Sequence, residues 1–268
     1  MKITQTVLSL ALVLASLTVA QTAGADFSEF PKQAPKNLRL DPKYFQIGMV
    51  QVSELSTETL DSRNFDSNGA VGSATCAGRR MNRINGNFDG AGDWIGEVGS
   101  QVDQIDMIVD KVINIGKKIW AVVEKGRPVV NVRADVATAL PSGARCWQDL
   151  QTWRAPVAKT WGVSFKNLYG MEVVKYVYRV VYLAGGTVDG VGQYIGYATV
   201  QPVELNVAWG YTFNSEATVP TVYNMGTRSN PVGGMNIEVQ WSVETVLKKT
   251  VQTQSYTIDG RGNFAQLK

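Results

Sequence analysis

The most regular pattern of apolar and polar residues runs through residues 101–126, QVDQIDMIVDKVINIGKKIWAVVEKG. Its apolar residues recur every three or four positions, which is the period of one face of an α-helix. Ser100 and Asp103 have the spacing of a capping box, while Gly126 and Pro128 supply a stop signal. The pattern therefore predicts one long amphipathic helix.

The apolar face of this predicted helix covers about half of its circumference, which suits packing across a sheet better than a coiled-coil seam. Its charged residues are Asp103, Asp106, Asp110, Lys111, Lys117, Lys118, Glu124 and Lys125. A charge near the centre of a bilayer costs roughly 2.5–3.5 kcal/mol, which argues against a transmembrane helix. We expect the helix to pack on the core, and its release to a membrane is the alternative.

After Pro128 the period changes to two, which is typical of antiparallel strands with one buried face. The clearest runs are MEVVKYVYRVVYL (171–183), VELNVAWGYTF (203–213) and NIEVQWSVETV (236–246), and FQIGMVQVSEL (45–55) is a further candidate strand. Turn residues separate the runs. The predicted fold class is α+β, with an antiparallel β-sheet or sandwich of about seven to nine strands and one long helix packed against it.

The N-terminal sequence MKITQTVLSLALVLASLTVAQTAGADF has the layout of a secretory signal peptide. Lys2 precedes an apolar segment, and cleavage is expected near Ala25. The domain organisation is then residues 1–25 as signal peptide, 26–99 as an extended region rich in Gly, Asn and Asp, and 100–268 as helix plus β domain. The last two form a single domain. A secreted, periplasmic or cell-envelope location follows.

Two cysteines are present, Cys76 and Cys146. In an exported chain an even and minimal number favours one disulfide between them. The chain-entropy model gives such a closed loop about 4 kcal/mol of stabilisation. Two buried free thiols are the alternative.

The chain contains no histidine. This removes Ser–His–acid and Cys–His catalysis and the most common general base near neutral pH. No phosphate-binding or dinucleotide-binding fingerprint is present. A pair of carboxylates remains as an enzymatic alternative, but no pair stands out. We therefore expect a non-enzymatic protein, and a net charge of only +3 gives no indication of a nucleic-acid partner.

Two sets of residues are candidates for binding. Asn85, Asn87, Asp89 and Asp93 place oxygen ligands on alternate residues, as a calcium loop needs. A turn rich in Gly, Asn and Asp is the simpler interpretation, and no other cofactor is expected. Trp147, Trp153 and Trp161 are a candidate surface for a protein or glycan partner, while a role in covering the edge of the core is the alternative.

The sequence favours an exported, non-enzymatic binding or structural protein of the cell envelope or exterior, for which membrane association is not expected. The second hypothesis is a membrane-active, pore-forming-like protein whose helix or β-hairpins insert after release from the core. An outer-membrane barrel is a weaker third alternative.

Overall fold

The computed structural model describes residues 41–60, 108–114, 119–124, 127–128, 136–144 and 147–267, which form two antiparallel β-sheets of six strands each. The strands are β1 (Ile47–Thr59), β2 (Ile108–Ile113), β3 (Ile119–Glu124), β4 (Arg127–Pro128), β5 (Ala137–Ser142), β6 (Val157–Asn167), β7 (Glu172–Val188), β8 (Val191–Val207), β9 (Thr212–Asn224), β10 (Gly233–Glu244), β11 (Lys249–Asp259) and β12 (Phe264–Leu267). A short 3₁₀ turn, Trp147–Asp149, precedes β6.

The first sheet has the order β1-β6-β7-β8-β5-β2 and the second has the order β12-β11-β10-β9-β3-β4. Their inner faces share one apolar core, so the described chain has the layered arrangement of a sandwich. The alternation in the sequence places the residues of β7 and β10 correctly on these faces. Tyr176, Tyr178 and Val180 of β7 point into the core, as do Val239 and Trp241 of β10.

The predicted long helix is wrong. Within residues 101–126 the described parts form β2 and β3 instead, and the part of the chain that the structure describes contains no α-helix. β2 pairs with β5 at one edge of the first sheet, and β3 pairs with β9 in the second sheet. The fold class is therefore all-β rather than α+β.

The cause of this error lies in the side chains that produce the helical period. The segment is rich in isoleucine and valine, including Ile108, Val109, Val112 and Ile113 in β2. β-Branched side chains lose χ1 freedom against the preceding turn of a helix but fit the pleated surface of a sheet. An edge position on an existing sheet therefore outweighs the amphipathic helical pattern.

The turn between β7 and β8 shows how local sequence directs the hairpins. Asp189 and Gly190 form a two-residue connection between the paired residues Val188 and Val191. Both have positive φ, 49° at Asp189 and 79° at Gly190. Asp-Gly is a preferred pair for this geometry, which matches the twist of the two strands.

A buried tyrosine pair joins the two sheets. The hydroxyls of Tyr178 in β7 and Tyr256 in β11 lie 2.6 Å apart. Trp241 covers Tyr178 at a ring distance of 6.0 Å. Burial, and then the neighbouring Tyr256, raises the pKa of Tyr178 above its ordinary value of 10.0. Burial also raises the pKa of Tyr256, although its hydrogen bond with Tyr178 acts in the opposite direction.

These pKa shifts predict alkaline instability. A tyrosine that keeps its proton longer in the folded chain stabilises the fold below about pH 10, and this contribution is lost as the pH rises further. In Y178F/Y256F the free energy of unfolding should fall less steeply above about pH 10, by about 1.4 kcal/mol per pH unit for each tyrosine removed. Urea unfolding at neutral and alkaline pH measures this slope, and an unchanged slope would contradict the prediction. Y178F alone leaves the buried Tyr256 hydroxyl without its hydrogen-bond partner, so it should lower the free energy of unfolding by about 1–3 kcal/mol at neutral pH.

Candidate functional site

Three connections meet at one end of the sandwich; the first and third close hairpins, and the second crosses from the first sheet to the second. They are residues 168–171 between β6 and β7, 208–211 between β8 and β9, and 245–248 between β10 and β11. The strand register brings them together. The Ala208 N–H donates to the Val173 carbonyl at 2.8 Å, and Thr212 pairs with Glu244 where the second connection ends and the third begins. We call this the tip end.

Each connection at the tip end carries large apolar side chains that face outward. The exposed fractions are 80% for Val246, 53% for Leu247, 51% for Leu168, 45% for Tyr169 and 41% for Trp209. We call these five residues the apolar tips. A single exposed apolar residue needs no explanation, but a group on neighbouring loops is typical of an interaction surface.

The segment before β1 holds two of the tips in place. The Tyr44 hydroxyl donates to the Trp209 carbonyl at 3.2 Å, and the Phe45 ring lies 6.1 Å from the Trp209 ring. The Tyr211 hydroxyl donates to the Tyr44 carbonyl. On the other side, the Leu168 N–H donates to the Gln46 carbonyl at 3.1 Å. Buried aromatic residues therefore support the exposed ones from below.

Side-chain hydrogen bonds order the backbone of the turns at 168–171 and 245–248. The Asn167 side-chain oxygen accepts from the N–H groups of Tyr169 at 3.0 Å and Met171 at 3.1 Å. The Thr245 hydroxyl accepts from the Lys248 N–H at 3.1 Å. These bonds satisfy the polar backbone inside each turn. The apolar side chains at the turn positions consequently point away from the protein.

The charges around the apolar tips are mixed but include several exposed lysines. Lys43, Lys248 and Lys249 are exposed. The Asp41 carboxylate accepts a hydrogen bond from the Tyr169 hydroxyl. This bond, followed by the bond from the Lys43 N–H, holds the pKa of Asp41 below its ordinary value of 3.8. Asp41 is therefore a charged support for Tyr169 at neutral pH.

The opposite end of the sandwich has a different chemistry. Its turns contain Asp189, Arg228, Asn230, Arg261 and Asn263. Asn263 is held by Asp259, and Asn230 by Thr227, in ordinary polar turns. Among the described residues, Met225, with an exposed fraction of 50%, and Val191, with 38%, are large apolar residues exposed near these turns. The five exposed apolar side chains on the turns of the tip end make that end the more apolar of the two.

The tryptophans proposed as one partner surface lie in two places. Trp161 is only 4% exposed and packs in the core, 5.0 Å from the Tyr256 ring. Trp147 and Trp153 form an edge-to-face pair at 6.4 Å on the outer face of the first sheet. There they cover a small apolar cluster that includes Val181 and Tyr197. The structure does not bring the three indoles together.

Trp153 lies on a part of the sheet where two glycines leave room for it. A Cβ atom at Gly186 would lie 2.2 Å from Trp153 Cη2, and one at Gly196 would lie 2.9 Å from the same atom. The Trp153 Nε1–H donates to the Trp147 carbonyl at 3.0 Å. The indole therefore fixes the segment before β6 against β7 and β8.

The other residues proposed from the sequence lie outside the described residues. These are the cysteines Cys76 and Cys146, the calcium candidates Asn85, Asn87, Asp89 and Asp93, and the signal peptide. Within the described ranges, no group of three or more acidic or thiol side chains is placed to hold a metal ion. No helix in those ranges is long and apolar enough to cross a membrane.

Sequence reasoning missed the apolar tips because they continue the alternation of the strands. The alternating run 203–213 predicts Trp209 on the same buried face as Val207 and Tyr211, but β8 ends at Val207 and β9 begins at Thr212. Gly210, with φ 82°, is the signal of a turn at this point. Similarly, the run 236–246 predicts a strand through Val246, but β10 ends at Glu244.

Comparison with protein-family models, curated protein sequences and solved structures gave no match to this chain. Arguments about function therefore depend on the geometry of the described residues.

Gly186→Ala tests the packing of Trp153. The added methyl group collides with the indole, so we expect a loss of about 1–3 kcal/mol in the free energy of unfolding. Gly162→Ala is the matched control, because its Cβ would meet only the end of the exposed Leu55 side chain at 3.1 Å. This control should change stability by less than about 0.5 kcal/mol.

Denaturant unfolding of both variants measures the difference, and W153A provides a double-mutant cycle. If the collision with the indole is the cause, the G186A penalty should be much smaller in the W153A background. Equal penalties in both backgrounds would show that Trp153 does not limit this position.

Proposed function

We propose that the chain is an exported, non-enzymatic binding protein of the cell envelope or exterior and that the tip end is its working surface. One observation carries the proposal. Five large apolar side chains from three separate connections between strands are exposed together at one end of the sandwich. Keeping such side chains in water forgoes about 25 cal/mol for each Å² of apolar surface that could be buried. A partner that covers them would recover this energy.

The ordered residues below the apolar tips support a binding role. Tyr44, Phe45 and Tyr211 are buried below the tips, and Asn167 and Thr245 tie the turns. A surface that is already ordered loses less conformational entropy when it binds. The non-enzymatic part of the proposal is supported by the absence of histidine from the whole sequence. Export is supported by the N-terminal signal-peptide layout.

Charges at the most exposed tip test this function. We expect V246E/L247E to weaken binding to envelopes isolated from the producing organism by about tenfold or more, because the apolar contact is replaced by two carboxylates. Both side chains are at least half exposed, so the free energy of unfolding should change by less than about 0.5 kcal/mol. Co-sedimentation with the envelopes measures the binding.

Met225→Glu is the control for this experiment. Met225 has an exposed fraction of 50%, close to that of Leu247, but it lies at the opposite end of the sandwich. The M225E variant should bind the envelopes as tightly as the unaltered chain does. Equal losses in the control and the tip variant, or no loss in either, would contradict the proposed function.

Export makes a separate prediction about the ends and thiols of the protein. The exported form should begin near Asp26, and Cys76 and Cys146 should resist alkylation until a reductant is added. Intact-mass measurement before and after reduction tests both statements.

C76S and C146S should each lower the free energy of unfolding by about 4 kcal/mol, and C76S/C146S should lower it by no more than either single substitution. Labelling of both thiols in the unreduced, unfolded protein would contradict the disulfide.

A further inference from the structure

We propose that the partner of the tip end is an anionic lipid surface, into whose headgroup region the apolar tips insert. This inference rests on the proposed function and names the chemistry of its partner. It requires no helix and no rearrangement of the sandwich. Three features of the tip end support it: its shape, the types of residue on it and the charges beside them.

The shape of the tip end favours a deformable partner. The apolar side chains lie on three separate turns at 168–171, 208–211 and 245–248, and each turn projects beyond the last paired residues of its strands. A rigid protein partner would need a matching pocket for each turn to exclude water. A lipid interface adapts to projecting side chains and needs no such pockets. Several tips can therefore enter it at once.

The residue types match the layers of a bilayer interface. Trp209 and Tyr169 combine an apolar ring with a polar group, and such rings are enriched at the level of the headgroups. Leu168, Val246 and Leu247 are purely aliphatic and gain from deeper burial. The backbone of each turn is hydrogen-bonded internally, including the Thr245 N–H, which donates to the Lys248 carbonyl at 3.0 Å. Fewer polar groups then lose their water on insertion.

Lysines lie where they would meet lipid phosphates. Lys248 and Lys249 follow the two most exposed tips directly in the sequence, and Lys43 is exposed beside the support residues Tyr44 and Phe45. Three acids lie in the same region. Asp41 is bound to the Tyr169 hydroxyl, Glu244 pairs in register with Lys249, and Glu172 accepts a hydrogen bond from the Ser164 hydroxyl. Each lysine near an anionic membrane contributes about fivefold in affinity, so binding should depend on anionic lipid and on salt.

Flotation of the chain from Asp26 onward with two kinds of vesicle tests the inference. One kind contains phosphatidylcholine alone, and the other contains equal parts of phosphatidylcholine and phosphatidylglycerol. We expect the protein to float with the anionic vesicles and to do so less at high salt. V246E/L247E should reduce the bound fraction by about tenfold or more, and K248A/K249A should reduce it by several-fold. M225E should float like the unaltered chain.

A second measurement locates the contact. Lipids brominated near the headgroup should quench part of the tryptophan fluorescence of the bound protein, because Trp209 is the indole at the tip end within the described part of the chain. W209F should still float and lose most of this quenching. Quenching that is unchanged in W209F would overturn the assigned contact, and equal flotation with both vesicle types would overturn the role of the lysines.

The outcomes also separate this inference from the proposed function. Failure to float with either vesicle, together with envelope binding that V246E/L247E abolishes, would overturn the lipid surface and indicate a protein or glycan partner for the same tips. Absence of tip-dependent binding to both vesicles and envelopes would overturn the inference and the proposed function together. Flotation that M225E weakens as much as V246E/L247E would overturn the inference by placing the contact elsewhere.

Discussion

Burial of the aromatic face of β7 is the constraint on which the rest of the structure depends. Tyr176 and Tyr178 stack at 5.3 Å, and neither has any solvent exposure. Such large side chains need a second layer, which Phe213 and Trp241 supply from the opposite sheet. Because their hydroxyls resist leaving water without a partner, the pairing of Tyr178 with Tyr256 also helps to fix the alignment of the two sheets.

The alignment of the two sheets determines which side chains the connections between strands expose to solvent. Once the strands are paired, the connections after β6, β8 and β10 must emerge at the same end. Strong hydrogen bonding within each turn and aromatic packing from Tyr44 and Phe45 leave the tips little freedom. The sandwich thus acts as a rigid support for an apolar surface. Any partner of that surface meets it already formed.

The error over residues 101–126 has a general physical lesson. The periodicity was helical, and acids preceded lysines as the helix dipole favours. The isoleucines and valines that carried the pattern fit a strand at least as well, however, and β5 in one sheet and β9 in the other provided backbone partners for β2 and β3. Periodicity reports which residues seek burial. It does not report whether a sheet edge will be available to them.

The sequence by itself determined the strands β1, β7 and β10 and the inward position of Tyr178 and Trp241, because alternation and turn residues are local signals. It also excluded histidine-dependent chemistry. Only the tertiary structure decided that Trp161 is buried while Trp147 pairs with Trp153, and that Leu168, Trp209 and Val246 lie at one end. The physical reason is that these relations depend on strand register and sheet order, which arise from contacts between residues far apart in the chain.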